Sequence, residues 1–274
     1  MGESFRVLHF SDPHEPAKFE SFRMLLDKRV IGFLNNRILR RTGRGGHEEI
    51  IGKAIERIFR EKADLVLFTG DAVSCGQKTE FETAYEHFRP LVESTLPFLY
   101  IPGNHDLYVK DRDCQRAAEG FCLKMNRGKY ALTDFPFVWE NEKFRLLAVN
   151  TCRPMPPLLS NGFMDEKTRE FLRTQCGKKD GKKVLCASHF PFSDPHPLLH
   201  LLHTLHGGKE AQTLLEEGKI DLLLCGHVHK PRARLDERGR GEVVAGSLTG
   251  CRALTRIDYD GEKDRFCVER LPLD

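Results

Sequence analysis

The sequence predicts an α/β fold built on a largely parallel or mixed sheet, and three observations carry that expectation. Short apolar runs rich in β-branched or aromatic residues read as buried strands at 5–10, 64–69, 98–101, 144–150, 183–188 and 220–225. Helical patterns fall between many of them, at 47–63, 80–94, 165–176 and 209–218. Strands alternating with helices give a sheet covered by helices. The third observation concerns the residues just beyond the strands. Five of the runs lead directly into Asp, Asn or His, the side chains that do chemistry.

Taken in order, the first run, FRVLHF, ends in Ser11-Asp12-Pro13-His14. Pro13 disfavours the helical region for Asp12, and residues two apart in an extended segment share a face, so Asp12 and His14 should converge. LVLFT leads into Gly70-Asp71, and FLYI into Pro102-Gly103-Asn104-His105-Asp106. VLCAS leads into His189, and LLLC into Gly226-His227-Val228-His229, where the two histidines again share a face if the backbone is extended. Five of the twelve histidines occupy these positions, which in an open α/β sheet lie at the carboxyl ends where ligands bind. Near the C terminus, 241–250, 253–260 and 265–271 read as consecutive strands, an antiparallel closing layer. No solenoid-length repeat or low-complexity linker interrupts the chain, so one domain over 1–274 is expected.

Composition excludes several classes. A net charge of +3 is too small to mark a nucleic-acid binder. Nine cysteines, an odd number without a C-x-x-C pair and partly inside apolar runs, argue for buried reduced thiols rather than a disulfide framework. The first residues lack the basic and apolar regions of a signal peptide, and Arg6 breaks the myristoylation pattern that Gly2 suggests. No apolar run is long enough to span a bilayer. A cytoplasmic location is the expectation.

The candidate ligands are carboxylates, imidazoles and one amide, without thiolate. That set suits Mn²⁺, Fe or Zn²⁺ rather than a structural Cys-rich zinc. Seven such groups are too many for one ion with open positions and about right for two ions sharing a carboxylate.

The ordered series D-x-H, G-D, G-N-H-D, a lone His and G-H-x-H resembles the calcineurin-like metallophosphoesterases over roughly residues 5 to 250. The resemblance implies a two-sheet αββα sandwich with mixed sheets. It implies two divalent ions, the first held by Asp12, His14 and His229, the second by Asn104, His189 and His227, with Asp71 as the bridge. His105 would be a non-ligand near the leaving group, oriented by Asp106. The expected activity is hydrolysis of a phosphodiester or phosphomonoester by in-line attack of a metal-bridging hydroxide, on a small soluble, cyclic-nucleotide-like substrate. A lipid-linked diphosphate of the UDP-diacylglucosamine type and a non-catalytic metal-binding scaffold are the alternatives.

Four further features bear on substrate. Asn104 and Arg153, the latter just after a strand in TCRP, are candidates for binding phosphate, Arg153 through a bidentate contact. Segment 21–46 reads as a basic amphipathic helix, with Phe22, Leu26, Val30, Phe33 or Leu34, and Ile38 on one face and Lys28, Arg29, Arg37, Arg40 and Arg41 around the rest. Such a helix either covers the core with its basic face in water or lies on an anionic membrane. The membrane option would place the protein peripherally at the inner membrane face. The second Ser-Asp-Pro-His, at 193–196, is expected to cap a helix that carries His196, His200 and His203; 193–208 is then a second cap or membrane-surface segment.

Overall fold

A computed structural model describes residues 4–20, 22–32, 46–157, 159–193 and 204–273. Its frame is two mixed sheets. In the first, β1 (Phe5–Phe10), β2 (Leu65–Phe68) and β3 (Phe98–Tyr100) are parallel neighbours, and β12 (Ala253–Asp260) and β13 (Arg265–Pro272) extend the β1 edge as an antiparallel hairpin. The second sheet has the order β10 (Arg232–Leu235), β11 (Gly241–Val244), β9 (Leu222–Cys225), β7 (Lys183–Ala187), β5 (Phe144–Ala148) and β4 (Phe137–Glu140). Its four central strands are parallel and its two edges antiparallel. A short parallel pair, β6 (Gly162–Phe163) and β8 (Leu205–His206), lies apart.

The parallel strands are apolar on both faces because both are covered. Every residue of LVLF in β2 and LLLC in β9 is buried. Where the sheets meet, the rings of Phe5 and Phe144 stack at 4.0 Å, with Tyr259 and Phe266 edge-on to Phe144. Both phenylalanines open their strands, so this aromatic plug closes the amino end of the sandwich. The opposite end is left for the polar loops.

Helices cover the outer faces. In α1 (His47–Arg60), Ile50, Ile51, Ala54, Ile55 and Ile58 recur at helical spacing and are buried. Helix α2 (Lys78–Val92) begins where Glu80 Oε2 accepts from the Gln77 amide at 2.8 Å. Asp111 Oδ1 accepts from Asp113 N and Cys114 N at the start of α3 (Arg112–Met125), and Asp165 Oδ1 from Thr168 N at the start of α4 (Glu166–Cys176). Helix α5 (Lys209–Glu216) packs on β9, and the one-turn α6 (Leu248–Cys251) precedes β12. Seven of the nine cysteines are buried and all nine are unpaired.

Three sequence expectations change. The C-terminal strands do not form one closing layer: β11 joins the second sheet beside β9, whereas β12 and β13 join the first. The turn at Gly246 and helix α6 carry the chain between the sheets. Segment 21–46 does not start as a long amphipathic helix. Phe22–Leu26 is a 3-10 turn in which Phe22 is 79% and Leu26 85% exposed, while Lys28 and Arg29 are buried. The cations go inside because partners wait there: Asp27 and Cys114 Sγ (3.3 Å) for Arg29, and the Tyr108 ring (4.0 Å) for Lys28. Residues 33–45, with Arg37, Arg40 and Arg41, lie outside the described residues, as do 194–203 with Asp194, His196, His200 and His203. Of the expected cap only Ser193 is described, and its amide and hydroxyl donate to Glu242. Leu205–His206 is strand rather than helix.

The plug makes a test. Phe144→Ala should lower stability by about 3–5 kcal/mol in urea unfolding, the range for a buried Phe truncated to Ala. The metal content of the folded fraction should stay unchanged. A loss below about 1 kcal/mol would show that the sheets are not held at this point.

Candidate metal centre

The ends of β1, β2, β3, β7 and β9 meet at one edge of the sandwich. Backbone bonds continue the β1–β2 pairing past the strands, from Asp12 N to Gly70 O at 2.9 Å, His14 N to Asp71 O at 3.0 Å and Glu15 N to Ala72 O at 2.7 Å. In the second sheet Gly226 N bonds His189 O (3.0 Å) past β9 and β7, and Leu248 N to Ser11 O (2.8 Å) joins it to the first sheet.

Two groups of side chains converge there. Asp12, His14, Asp71 and His229 form one, and Asp71, His189 and His227 the other, with the ligand atoms of each within 4.8 Å of one another. In the first, His14 Nε2 lies 2.9 Å from His229 Nε2 and 3.5 Å from Asp71 Oδ2, and Asp12 Oδ1 lies 3.2 Å from His229 Nε2. In the second, Asp71 Oδ2 is 3.3 Å from His189 Nε2, and Asn104 Oδ1 is 3.0 Å from both His189 Nε2 and His227 Nδ1. One oxygen, Asp71 Oδ2, therefore faces both groups.

These separations test whether metal fits. Ligand atoms at about 2.1 Å from one ion stand roughly 3.0–3.4 Å apart in octahedral or tetrahedral shells, and most of the distances above fall in or near that range. The buried Asp12 Oδ1 has no hydrogen-bond partner among the described residues. His189 Nδ1 faces the Thr69 carbonyl at 2.6 Å. A carbonyl only accepts, so Nδ1 carries a proton and, in the neutral ring, Nε2 offers its lone pair to the centre, the arrangement common to metal-bound histidines. The donor set fits a pair of divalent ions.

Without an ion at the centre, the imidazoles themselves supply the positive charge that the buried carboxylates require. Burial alone would raise Asp71, but His189 and His105 hold its carboxyl below the ordinary range. Burial works against the His189 cation, yet Asp71 outweighs it and raises the imidazole to about 9. For Asp12, the burial penalty is outweighed by His229 and His189, and its carboxyl is lowered.

The backbone reaches this arrangement under strain. Asp12, His14, Asp71, His227 and His229 have φ between 53° and 69°, a left-handed region that non-glycine residues enter rarely, and then often at functional sites. The expectation that Asp12 and His14, and again His227 and His229, share a face of an extended chain is therefore corrected. Each pair converges because the chain kinks at both residues, folding two side chains inward. The neighbouring glycines make room for it. A Cβ on Gly70 would strike the Gly103 backbone, and one on Gly226 would strike the Ser11 hydroxyl and Asp12 Oδ2.

Asp106 does not orient His105. Its Oδ2 accepts from Asp71 N (2.8 Å), Gly103 N (2.7 Å) and the Tyr100 hydroxyl (2.7 Å), and its Oδ1 from Val73 N (3.1 Å). It ties the β2 and β3 loops together, and burial with the Asp71 charge raises it to about 6. The hydrogen bond at His105 Nδ1 runs to the Ser74 carbonyl at 2.6 Å, and His105 N donates to Asp71 Oδ1 at 2.8 Å. The His105 ring meets His14 edge-on at 4.8 Å and stacks on Tyr108 at 4.9 Å. Arg153 lies on the rim of a neighbouring cleft that Asp106 and Tyr108 also line, its guanidinium 3.2 Å over the Phe163 ring. Lys28, with its ammonium 4.0 Å from the centre of the Tyr108 ring, is a group near the site that the sequence did not single out; burial lowers it to about 8. Its signal in the sequence was hidden in a basic run.

The family model for calcineurin-like phosphoesterase matches residues 5–231, and the chain belongs to that family. A glycerophosphodiester phosphodiesterase GpdQ of Enterobacter lignolyticus is 26% identical over 180 residues, 62% of this chain and 58% of that protein. A "probable glycerophosphodiester phosphodiesterase GpdQ" of Arcobacter nitrofigilis is 29% identical over 177 residues, 63% of this chain and 59% of that protein. The match thus spans less than two thirds of either curated relative. Among solved structures, a dimetal phosphatase from Danio rerio aligns with a TM-score of 0.60 at 14% identity, covering 98% of this chain and 99% of that one. A purple acid phosphatase from yellow lupin aligns at 0.61 and 14%, covering 98% and 52%. These likenesses show a common two-sheet fold.

Gly226→Ala should push Asp12 out of place and lower the metal bound per chain, read by elemental analysis. Gly120→Ala in α3, where nothing lies within 4 Å of the added methyl, should leave metal unchanged and, by helix propensity, add up to about 1 kcal/mol of stability. Equal metal loss in both would refute the steric account.

Proposed function

We propose that the chain is a metal-dependent phosphoesterase that acts on a small soluble phosphodiester, as a single metallophosphoesterase domain over 1–274. The observation that carries this is Asp71 Oδ2 facing both ligand groups. Asp12, His14 and His229 would hold one ion, Asn104, His189 and His227 the second, and Asp71 both. Manganese or iron is favoured by the nitrogen and oxygen donor set, with zinc a lesser fit. When bound, such a pair supplies Lewis acidity toward phosphoryl oxygens and a nucleophile at neutral pH.

The chain's own residues do the remainder. Ser74 O fixes His105 Nδ1 as a protonated nitrogen, so Nε2 is the atom that gives or takes a proton at the leaving oxygen. Asn104 would turn its amide toward the phosphate as well as the ion. The Lys28 ammonium and the Arg153 guanidinium are the nearby cations for the non-bridging oxygens or the group beyond the phosphate. A diester is favoured over a monoester because both curated relatives carry the name of a phosphodiesterase. The unpaired cysteines fit a reducing compartment such as the cytoplasm.

Metal-depleted protein given Mn²⁺ should cleave bis-p-nitrophenyl phosphate faster than p-nitrophenyl phosphate. Asp71→Asn should lose both metal and turnover. His105→Ala should keep its metal and lose about 10²–10⁴ in kcat, the usual contribution of a general acid. Metal loss in His105→Ala would make that residue a ligand instead. Full metal with no hydrolysis of any ester would make the chain a metal-binding scaffold.

A second reading, a lipid-linked diphosphate met at a membrane surface, is favoured by one observation. Phe19, Phe22 and Leu26 expose apolar side chains together, and the Phe19 and Phe22 rings are in contact at 5.7 Å. No helix among the described residues is long and apolar enough to cross a membrane, so contact here would be peripheral. Sedimentation with anionic vesicles should then fall several-fold in a Phe22→Ser/Leu26→Ser variant. Absence of vesicle binding by the wild type would remove this reading.

A further inference from the structure

We propose that Glu15, His47 and His87 form a third metal site of the zinc class, which clamps the loop carrying Asp12 and His14 to helices α1 and α2. The three residues share no ligand with the centre at Asp71. Glu15 directly follows His14, His47 is the first residue of α1, and His87 lies in α2.

Their ligand atoms lie within 4.8 Å of one another. Glu15 Oε2 is 3.6 Å from His47 Nδ1 and 3.1 Å from His87 Nδ1. Tetrahedral ligands at about 2.0–2.1 Å from zinc stand roughly 3.3 Å apart, and the two distances bracket that value. Two imidazoles with one carboxylate are a known zinc set that leaves a position open.

The close Glu15–His87 pair, whose carboxylate raises the His87 imidazole, accounts for part of the cluster, but His47, which burial lowers, is left as a neutral donor beside the same oxygen. Glu15 Oε2 and His87 Nδ1 are buried, and neither has a hydrogen-bond partner of acceptable geometry among the described residues despite their closeness. The Glu15 side chain is only 9% exposed. A buried carboxylate oxygen without a donor is costly unless a cation meets it. The second imidazole is already prepared. His47 Nε2 faces the Pro13 carbonyl at 3.1 Å, which obliges that nitrogen to carry the proton and leaves Nδ1, the atom nearer the carboxylate, as the donor in the neutral ring. That carbonyl contact is the outer-shell partner a metal-bound histidine usually has.

An ion here would act on position rather than on chemistry. Glu15 is also tied by backbone to β2's loop, through its bridge to Val73 and through Ser74 Oγ donating to Glu15 O at 2.8 Å. Fixing its side chain to α1 and α2 would hold the left-handed kinks at Asp12 and His14 from the outside.

The test counts zinc. Full-length protein, stripped with chelator and loaded with Zn²⁺, is freed of excess and measured by elemental analysis. His87→Ala and His47→Gln should each bind one equivalent fewer than the wild type, and the second variant serves if the first does not fold. In the Asp71→Asn background, zinc should still raise the melting temperature, and adding His87→Ala should abolish that rise. A wild type whose zinc is lost with His87→Ala but not with Asp71→Asn would support this site while refuting the paired centre. Equal zinc in the wild type and both histidine variants would overturn the third site and leave the paired centre standing.

Discussion

One carboxylate oxygen organises this molecule. Asp71 Oδ2 faces His14 and His229 on one side and His189 and His227 on the other, and the Asp71 carboxylate itself is buried. A buried charge of that kind must be met by opposite charge or hydrogen-bond donors. Neighbouring features answer to it. Asp106 takes the Asp71 amide, Gly103 and Gly70 pack backbone on backbone to bring the loops close, and His105 N covers the other carboxylate oxygen. The two sheets meet at this edge because no single sheet could surround one oxygen with groups from five strands.

The rest of the fold stabilises what this edge strains. Five of the nine non-glycine residues with left-handed φ among the described residues are expected ligands. Each such conformation costs of order 1–3 kcal/mol. A core with apolar β2 and β9 buried along their whole length, closed at the far end by stacked Phe5 and Phe144, offsets that cost. The division is spatial: packing at the amino ends of the strands, chemistry at the carboxyl ends. The Glu15, His47 and His87 cluster obeys the same logic from outside, since it ties the strained β1 loop to two helices.

Polar groups around the centre divide into those that touch it and those that hold it. Asp106 sits next to His105 in sequence, and its carboxylate is spent on backbone amides and Tyr100. The tautomer of His105 is set instead by a carbonyl from another loop, Ser74. Lys28 reaches the same neighbourhood through the face of Tyr108. A carbonyl has no identity in sequence, and a Lys in a basic run looks like any other.

The sequence by itself determined the α/β class, the main strands and helices, and which side chains would gather at the strand ends. Those are local facts: apolar runs mark burial, and each ligand comes directly after its strand. Only the tertiary structure decided how the pairs converge, through kinks rather than extended chain, because φ at Asp12 or His229 is imposed by bonds to distant loops. It also separated Gly241–Val244 from the final hairpin, since strand pairing is set by register across the sheet and not by order along the chain. Lys28 and Arg29 went inside, against their composition, because Tyr108, Asp27 and Cys114 were there to receive them. His47 and His87 drew no notice as residues of two helices; they became a cluster only when α1 and α2 were laid beside Glu15.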